Sequence, residues 1–242
     1  MRSDKAIVAT AIIAAAAFMF AAPLLTTTIP AYAQDGKGLI VPLYGWDAGW
    51  SQVIQAKQSY PGTQIFAVVN PAAGPGSGPD SHYLSVVNEM KNAGVNVLGY
   101  VASSYASADL STLENQIRAY HDWYGVNGIF IDEVSPSALS YYQTLHDYAH
   151  GVGAQSVVLN PGAPVPASYA NAGDIIVAYE NGYIPSQVSS NGISPSKLGA
   201  LIHGVTPSRD QYEGLLNQVG YLYLAPDWSH AAPNIVDQAS WA

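Results

Sequence analysis

Eight short runs rich in β-branched and aromatic residues recur along this chain, at residues 39–44, 65–70, 96–101, 128–132, 156–160, 174–180, 199–203 and 220–225. They stand roughly 20 to 35 residues apart, and the segments between them carry helical signals. Residues 81–93 place Leu84, Val87 and Met90 three apart. Residues 110–124 open with Ser111-Thr112-Leu113-Glu114, a capping-box pattern. Residues 137–150 and 208–219 read as two further helices. Strands that alternate with helices predict a parallel sheet with right-handed crossovers. Eight such units predict an α/β fold, a small (β/α)8 barrel of the TIM type. Residues 184–196 are rich in Pro, Ser, Gly and Asn and predict a loop or a short helix.

Chemistry in such a barrel gathers at the C-terminal ends of the strands. Those ends carry Tyr44, Asn70, Tyr100, Asp132 with Glu133, Asn160, Glu180, His203 and Asp227 in a chain with only 10% charged residues. The run Gly-Ile-Phe-Ile-Asp-Glu at residues 128–133 is the most telling. Adjacent acids at a strand mouth repel each other and are partly desolvated, and no strand needs them. Capping of the next helical turn is the other reading of either acid. Side chains alternate across a strand. If Gly128 and Phe130 point inward, so does Asp132; if Ile176 and Ala178 point inward, so does Glu180. The two acids then converge over the barrel mouth, with Glu133 at the start of the adjoining loop.

Glycoside hydrolysis requires one ionised and one protonated carboxyl group flanking the sugar bond. On that logic Asp132 is the nucleophile, Glu180 the general acid/base, and Glu133 tunes the pair or holds the sugar. A separation of about 5 Å predicts retention, and about 6.5–9.5 Å predicts inversion.

The first residues, Met-Arg-Ser-Asp-Lys, precede an apolar stretch from residue 7 to 22 and the small-x-small triplet Ala31-Tyr32-Ala33. This predicts a secretory signal peptide over 1–33, with an uncleaved anchor as the other reading. Residues 34–242 then form one domain, exported or held at the cell surface. The chain has no cysteine, so its stability rests on a hydrophobic core. A net charge of −9 argues against nucleic-acid and anionic-membrane partners. The expected partner is a polysaccharide, the expected oligomeric state a monomer, and no cofactor is called for. Seventeen Tyr and five Trp suit sugar surfaces as well as cores.

Several uncommon strings occur in a telling order: Val41-Pro42-Leu43-Tyr44, Asn70-Pro71-Ala72-Ala73-Gly74-Pro75-Gly76, Leu98-Gly99-Tyr100-Val101 leading to Tyr105, Trp123-Tyr124-Gly125-Val126 before residues 128–133, Asn160-Pro161-Gly162, Tyr179-Glu180, and Tyr221-Leu222-Tyr223-Leu224 near Asp227. Taken together, the chain resembles the spherulin-four-like family, related to glycoside hydrolase family 135. The resemblance implies a (β/α)8 barrel. It further implies endo-acting hydrolysis of an α-1,4-linked exopolysaccharide containing N-acetylgalactosamine. The family's catalytic carboxylates fall on Asp132, Glu133 and Glu180, and Tyr44, Asn70, Tyr100, Tyr105, Asn160, His203 and Asp227 become candidate substrate contacts. Two loops depart from the family pattern, Ser103-Ser104-Tyr105 with the four residues after it, and Ala225-Pro226-Asp227. Both would shape sugar subsites, so substrate identity stays open.

Other features have plainer readings. Residues 70–76 lack the Lys of a phosphate loop. His146 and His150 have zinc-pair spacing, but no third ligand stands near them in sequence, so an exposed helix face is expected. His203 is either a cleft residue or a satisfied core histidine, and Trp46 and Trp50 either stack sugars or cap the barrel. Two alternatives to hydrolysis are a non-catalytic polysaccharide-binding coat barrel and a sugar deacetylase. The latter would want a metal set that the sequence does not display.

Overall fold

A computed structural model describes residues 37–44, 49–226 and 234–242. The expected signal segment 1–33, together with Trp46 and Asp227, lies outside the described residues. Eight strands form one closed parallel barrel in chain order: β1 (Gly38–Leu43), β2 (Gln64–Val69), β3 (Asn96–Ala102), β4 (Gly128–Asp132), β5 (Ser156–Leu159), β6 (Ile175–Asn181), β7 (Leu198–Ile202) and β8 (Tyr221–Leu224). Each lies within a residue or two of its sequence-based position. The helices are α1 (Gly49–Ser59), α2 (Ser81–Asn92), α3 (Leu110–Ala119), α4 (Leu139–Gly151), α5 (Arg209–Leu216) and α6 (Ile235–Trp241). No described helix is long and apolar enough to cross a membrane.

The pairing register decides which residues face inward. Phe130 pairs with Tyr100 and Val158, Val158 with Ile175, and Gly199 with both Val177 and Tyr221. Gly38 closes the circuit by pairing with Tyr221 and Gln64. Residues paired side by side share a face. Following the ladder around the barrel places Ile40, Phe66, Phe130, Val158 and Val177 inside, all 1% exposed or less. At the lower end the Tyr221 hydroxyl donates to Gln64 Oε1 at 3.0 Å. Gly128 is inward too, where a Cβ would sit 2.2 Å from the Ser156 carbonyl oxygen.

The same register corrects the parity expected for β6. Ile175 and Val177, not Ile176 and Ala178, face inward, so plain alternation would turn Glu180 out of the barrel. A bulge between Val177 and Tyr179 adds one residue, and Glu180 then pairs with inward-facing Leu201. The bulge re-aims the acid into the mouth, a use of bulges common beside active sites.

The helical shell is uneven. β5 and β6 are joined by a 3-10 turn at Ala167–Asn171, and β6 and β7 by a long loop with one 3-10 turn, Pro195–Lys197, as residues 184–196 predict. That loop buries Val188 and Ile193, each 4% exposed. The start of α3 differs from expectation. Its cap is Asp109, whose carboxylate accepts from Thr112 N, while the Ser111 hydroxyl is turned onto Asp109 itself. The helix then widens into a π turn at Tyr120–Tyr124. Tyr120 lies flat on β3 because Gly99 has no side chain; a Cβ there would stand 2.4 Å from the ring. Trp50 belongs to this outer layer. It is 6% exposed and packs on His82 and Tyr83 of α2, which removes the sugar-stacking reading for this residue.

The seam between β1 and β8 pairs only at Gly38 and Tyr221 among the described residues. Above that point a side chain completes it. Gln238 of α6 is fully buried, accepts from Leu224 N at 2.9 Å through Oε1 and donates to Leu224 O at 2.8 Å through Nε2. Its amide acts as a substitute strand peptide. Gln238→Ala strands both Leu224 groups and should cost about 2–4 kcal/mol. Urea unfolding measures this, and an unchanged midpoint would refute the seam role.

Candidate active site

Asp132 ends β4 and is gripped by three donors. The Tyr100 hydroxyl donates to Oδ2 at 2.9 Å. Asn160 Nδ2 and the Glu133 main-chain N–H both donate to Oδ1 at 2.8 Å. Every contact uses Asp132 as an acceptor, the inventory of an ionised carboxylate. Burial, then the neighbouring Asp132 charge and hydrogen bond, holds the Tyr100 phenol far above its ordinary range, so it remains a donor.

The Asn160 amide nitrogen has a second acceptor, Glu180 Oε2 at 2.5 Å. One NH2 group thus bridges acids from β4 and β6. Asp132 Oδ1 and Glu180 Oε2 cannot be farther apart than those two contacts laid end to end, about 5.3 Å. Divergence of the N–H bonds at the usual angle gives about 4.6 Å. Asn160 is itself 4% exposed, and its carbonyl oxygen accepts from Gly162 N at 3.0 Å, which fixes which end of the amide faces the acids. Burial raises the Glu180 carboxyl above its ordinary value; the Asn160 hydrogen bond opposes this and the Asp132 charge adds to it.

Glu133 stands beside the pair on a left-handed backbone, φ 55°. That conformation costs a non-glycine residue on the order of 1 kcal/mol. The surroundings enforce it. The Glu133 carbonyl accepts from Tyr105 N at 2.8 Å and from Ser103 Oγ at 2.8 Å. Ser103, fully buried, also donates its main-chain N–H to the Asp132 carbonyl at 3.0 Å, and its hydroxyl meets that of Tyr142. The Tyr142 hydroxyl in turn accepts from Ser135 N at 2.7 Å. Ser103 and Tyr142 escape a sequence reading focused on strand ends. The only signal was a tyrosine where the buried face of α4 would accept a leucine.

The remaining mouth residues divide. Tyr44 is 37% exposed and packs edge-on against Tyr100 at 5.5 Å. Burial of its phenol, then the Asp132 and Glu180 charges, keeps it protonated. Tyr105 is 67% exposed and is the middle one of three residues with left-handed backbone, Ser104, Tyr105 and Ala106. His203 continues the inward parity of β7 and lies against Gly182 of the β6–β7 loop. Asn70 uses its carbonyl oxygen to accept from Gly74 N at 2.8 Å, so it braces its own loop. His146 and His150 are not a bare helix face: among the described residues they and Asp174 form a cluster of metal-ligating type, so the expectation of no third ligand is corrected.

The sequence model of Spherulation-specific family 4 matches residues 38–232. Spherulin-4 of Physarum polycephalum is 36% identical over 166 residues, 66% of this chain and 49% of that protein. The chain thus spans about half the length of the curated relative it matches. A crystal structure of Aspergillus clavatus Sph3 in complex with GalNAc superposes with a TM-score of 0.73 at 25% identity, covering 85% of this chain and 97% of that one. A chitinase from Rhizomucor miehei shares the fold alone, with a TM-score of 0.55 at 11% identity over 85% of this chain and 99% of that one.

The raised Glu180 has a consequence for stability. Between the ordinary carboxylate value and its own, the folded chain keeps a proton that the unfolded chain has lost, so stability falls as pH rises through that window. The ionised Glu180 therefore weakens the fold at neutral pH. Glu180→Gln should raise the Tm at pH 7, with the gain shrinking toward pH 4. Differential scanning calorimetry across that range tests it, and a gain independent of pH would contradict the assignment.

Proposed function

The chain belongs to Spherulation-specific family 4, and from that premise we propose that it is a glycoside hydrolase acting inside a polysaccharide that contains N-acetylgalactosamine. The observation that carries this reading is the Asn160 amide shared by Asp132 and Glu180. It supports a pair of carboxyl groups from two strands, close together and unequal in environment, at the open end of a barrel. The likeness to Sph3, whose structure holds GalNAc, supports a carbohydrate-active barrel and that amino sugar as the class of ligand.

Asp132 is oriented by Tyr100, Asn160 and the Glu133 N–H, and it attacks the anomeric carbon. The C1–O bond breaks, and the leaving oxygen takes the proton of Glu180, whose burial keeps the acid form available. A water molecule, deprotonated by Glu180, then releases the glycosyl group from Asp132. An upper limit of about 5.3 Å between Asp132 Oδ1 and Glu180 Oε2, the two oxygens that share the Asn160 amide, favours this retaining course. Tyr105, exposed at the rim, and Tyr44 offer aromatic faces for flanking sugars. Glu133 receives a hydroxyl or amide of the bound ring. The protein acts outside the cell as a monomer after loss of residues 1–33, and its acidic surface leaves polysaccharide, not nucleic acid, as its partner.

The purified protein is incubated with a panel of exopolysaccharides, and new reducing ends are counted. Asp132→Asn and Glu180→Gln should each lower release by about 10²–10⁴-fold. Proton NMR of the first-formed product should show the starting anomer. The alkaline limb of kcat/KM should lie above the ordinary carboxylate range and vanish in Glu180→Gln. Equal release by wild type and both variants would sink the assignment, and binding without cleavage across the panel would make this a polysaccharide-binding barrel.

A further inference from the structure

A second chemical cluster lies at the opposite end of the barrel. His146 and His150 stand one turn apart near the end of α4, their ring centroids 4.4 Å apart. Asp174 immediately precedes β6. It lies six positions before Glu180, on the order of 20 Å along the strand.

The hydrogen bonds assign both rings. His150 Nδ1 lies 2.9 Å from the Ala154 carbonyl oxygen, which can only accept, so Nδ1 carries a hydrogen. His146 Nδ1 lies 3.1 Å from Asp147 Oδ1 and is committed in the same way. Each ring therefore turns Nε2 toward Asp174, at 3.0 Å to Oδ2 from His150 and 3.9 Å to Oδ1 from His146. Asp174 is fixed independently, since Oδ2 also accepts from Val157 N at 2.8 Å. Two imidazole lone pairs and a carboxylate aimed at one point repel unless positive charge stands among them. A proton on His150 would satisfy the shorter contact and leave His146 Nε2 without a bonded partner at 3.9 Å.

We infer that His146, His150 and Asp174 form a binding site for a divalent transition-metal ion of the zinc class. Nδ1 engaged with an acceptor and Nε2 offered is the arrangement found in metal-ligating histidines. The three ligand atoms lie within 4.8 Å of one another. A tetrahedral ion with bonds of about 2.0–2.1 Å spaces its ligands about 3.3 Å apart. His150 Nε2 stands 3.0 Å from Asp174 Oδ2 and His146 Nε2 3.9 Å from Asp174 Oδ1, one contact to each carboxylate oxygen and one on either side of that value. Two imidazoles and one carboxylate suit zinc, nickel or copper better than calcium or magnesium. Side-chain exposures of 21%, 33% and 39% for His146, His150 and Asp174 leave room for water at the fourth position. The bound ion would tie the end of α4 to the start of β6.

The test treats the purified protein with chelator, removes the chelator, and titrates in Zn²⁺ or Co²⁺ alone. One ion per chain should bind, Co²⁺ should give the visible absorption of a four-coordinate site, and Zn²⁺ should raise the Tm saturably. His146→Gln and Asp174→Asn should each weaken binding at least tenfold. Among the described residues the His146 side chain meets only carboxylates, those of Asp147 and Asp174, and no main-chain group, so His146→Gln should fold, and it should leave reducing-end release from polysaccharide unchanged. Absence of saturable Zn²⁺ binding below millimolar concentration would overturn the site. So would equal affinity in His146→Gln, reducing the cluster to a His150–Asp174 ion pair.

Discussion

Closure of an eight-stranded parallel ladder fixes which side chains can ever meet at the mouth of this barrel. Each strand must agree in register with two neighbours, and the circuit must return to its start. Inward parity is therefore a property of the whole ring. Asp132 inherits it from Phe130 and Gly128, and Asn160 from Val158. β6 would break the pattern at Glu180, and a single extra residue near Ala178 restores it. The chemistry of the mouth rests on that one added residue as much as on the acids themselves.

Two carboxyl groups held this close repel, and the structure manages the repulsion with one amide. Asn160 donates to both and is locked by Gly162 on its other end. The environments then diverge. Asp132 receives Tyr100 and a main-chain N–H, while Glu180 has burial as its main influence. Neighbours only a few ångströms apart thereby sit in unequal surroundings. The β4–α4 loop supports this by holding Glu133 in a backbone conformation glycine would adopt more easily, through Ser103 and the Tyr105 N–H.

Much of this was legible in the chain because the signals were local. Eight apolar runs with polar ends marked strands and mouth, and Asp132, Asn160 and Glu180 were found by position alone. What escaped depends on contacts distant in sequence. The bulge in β6 is visible only against β7, so the parity of Glu180 came out right from the wrong pair of residues. Asp174 meets His146 and His150 only once α4 packs beside β6. The missed helix α1 buries just Trp50, Val53 and Ala56 beside Gly49, with Ile54 half-buried, and α6 is only seven residues long. The Ser111 capping pattern was real in sequence, but Asp109, two residues earlier, supplied a better acceptor.

The uneven shell bears on how such a barrel can diversify. Where β6 joins β7, a loop and one 3-10 turn replace a helix, and Val188 and Ile193 are its buried side chains. A loop tolerates insertion at small entropic cost, whereas a packed helix does not. The strand that carries Glu180 runs directly into this segment. New lengths and sequences can therefore accumulate beside the acid while the ladder that aims it stays untouched. The rim can change in length and sequence while the paired carboxyl groups beneath keep their positions.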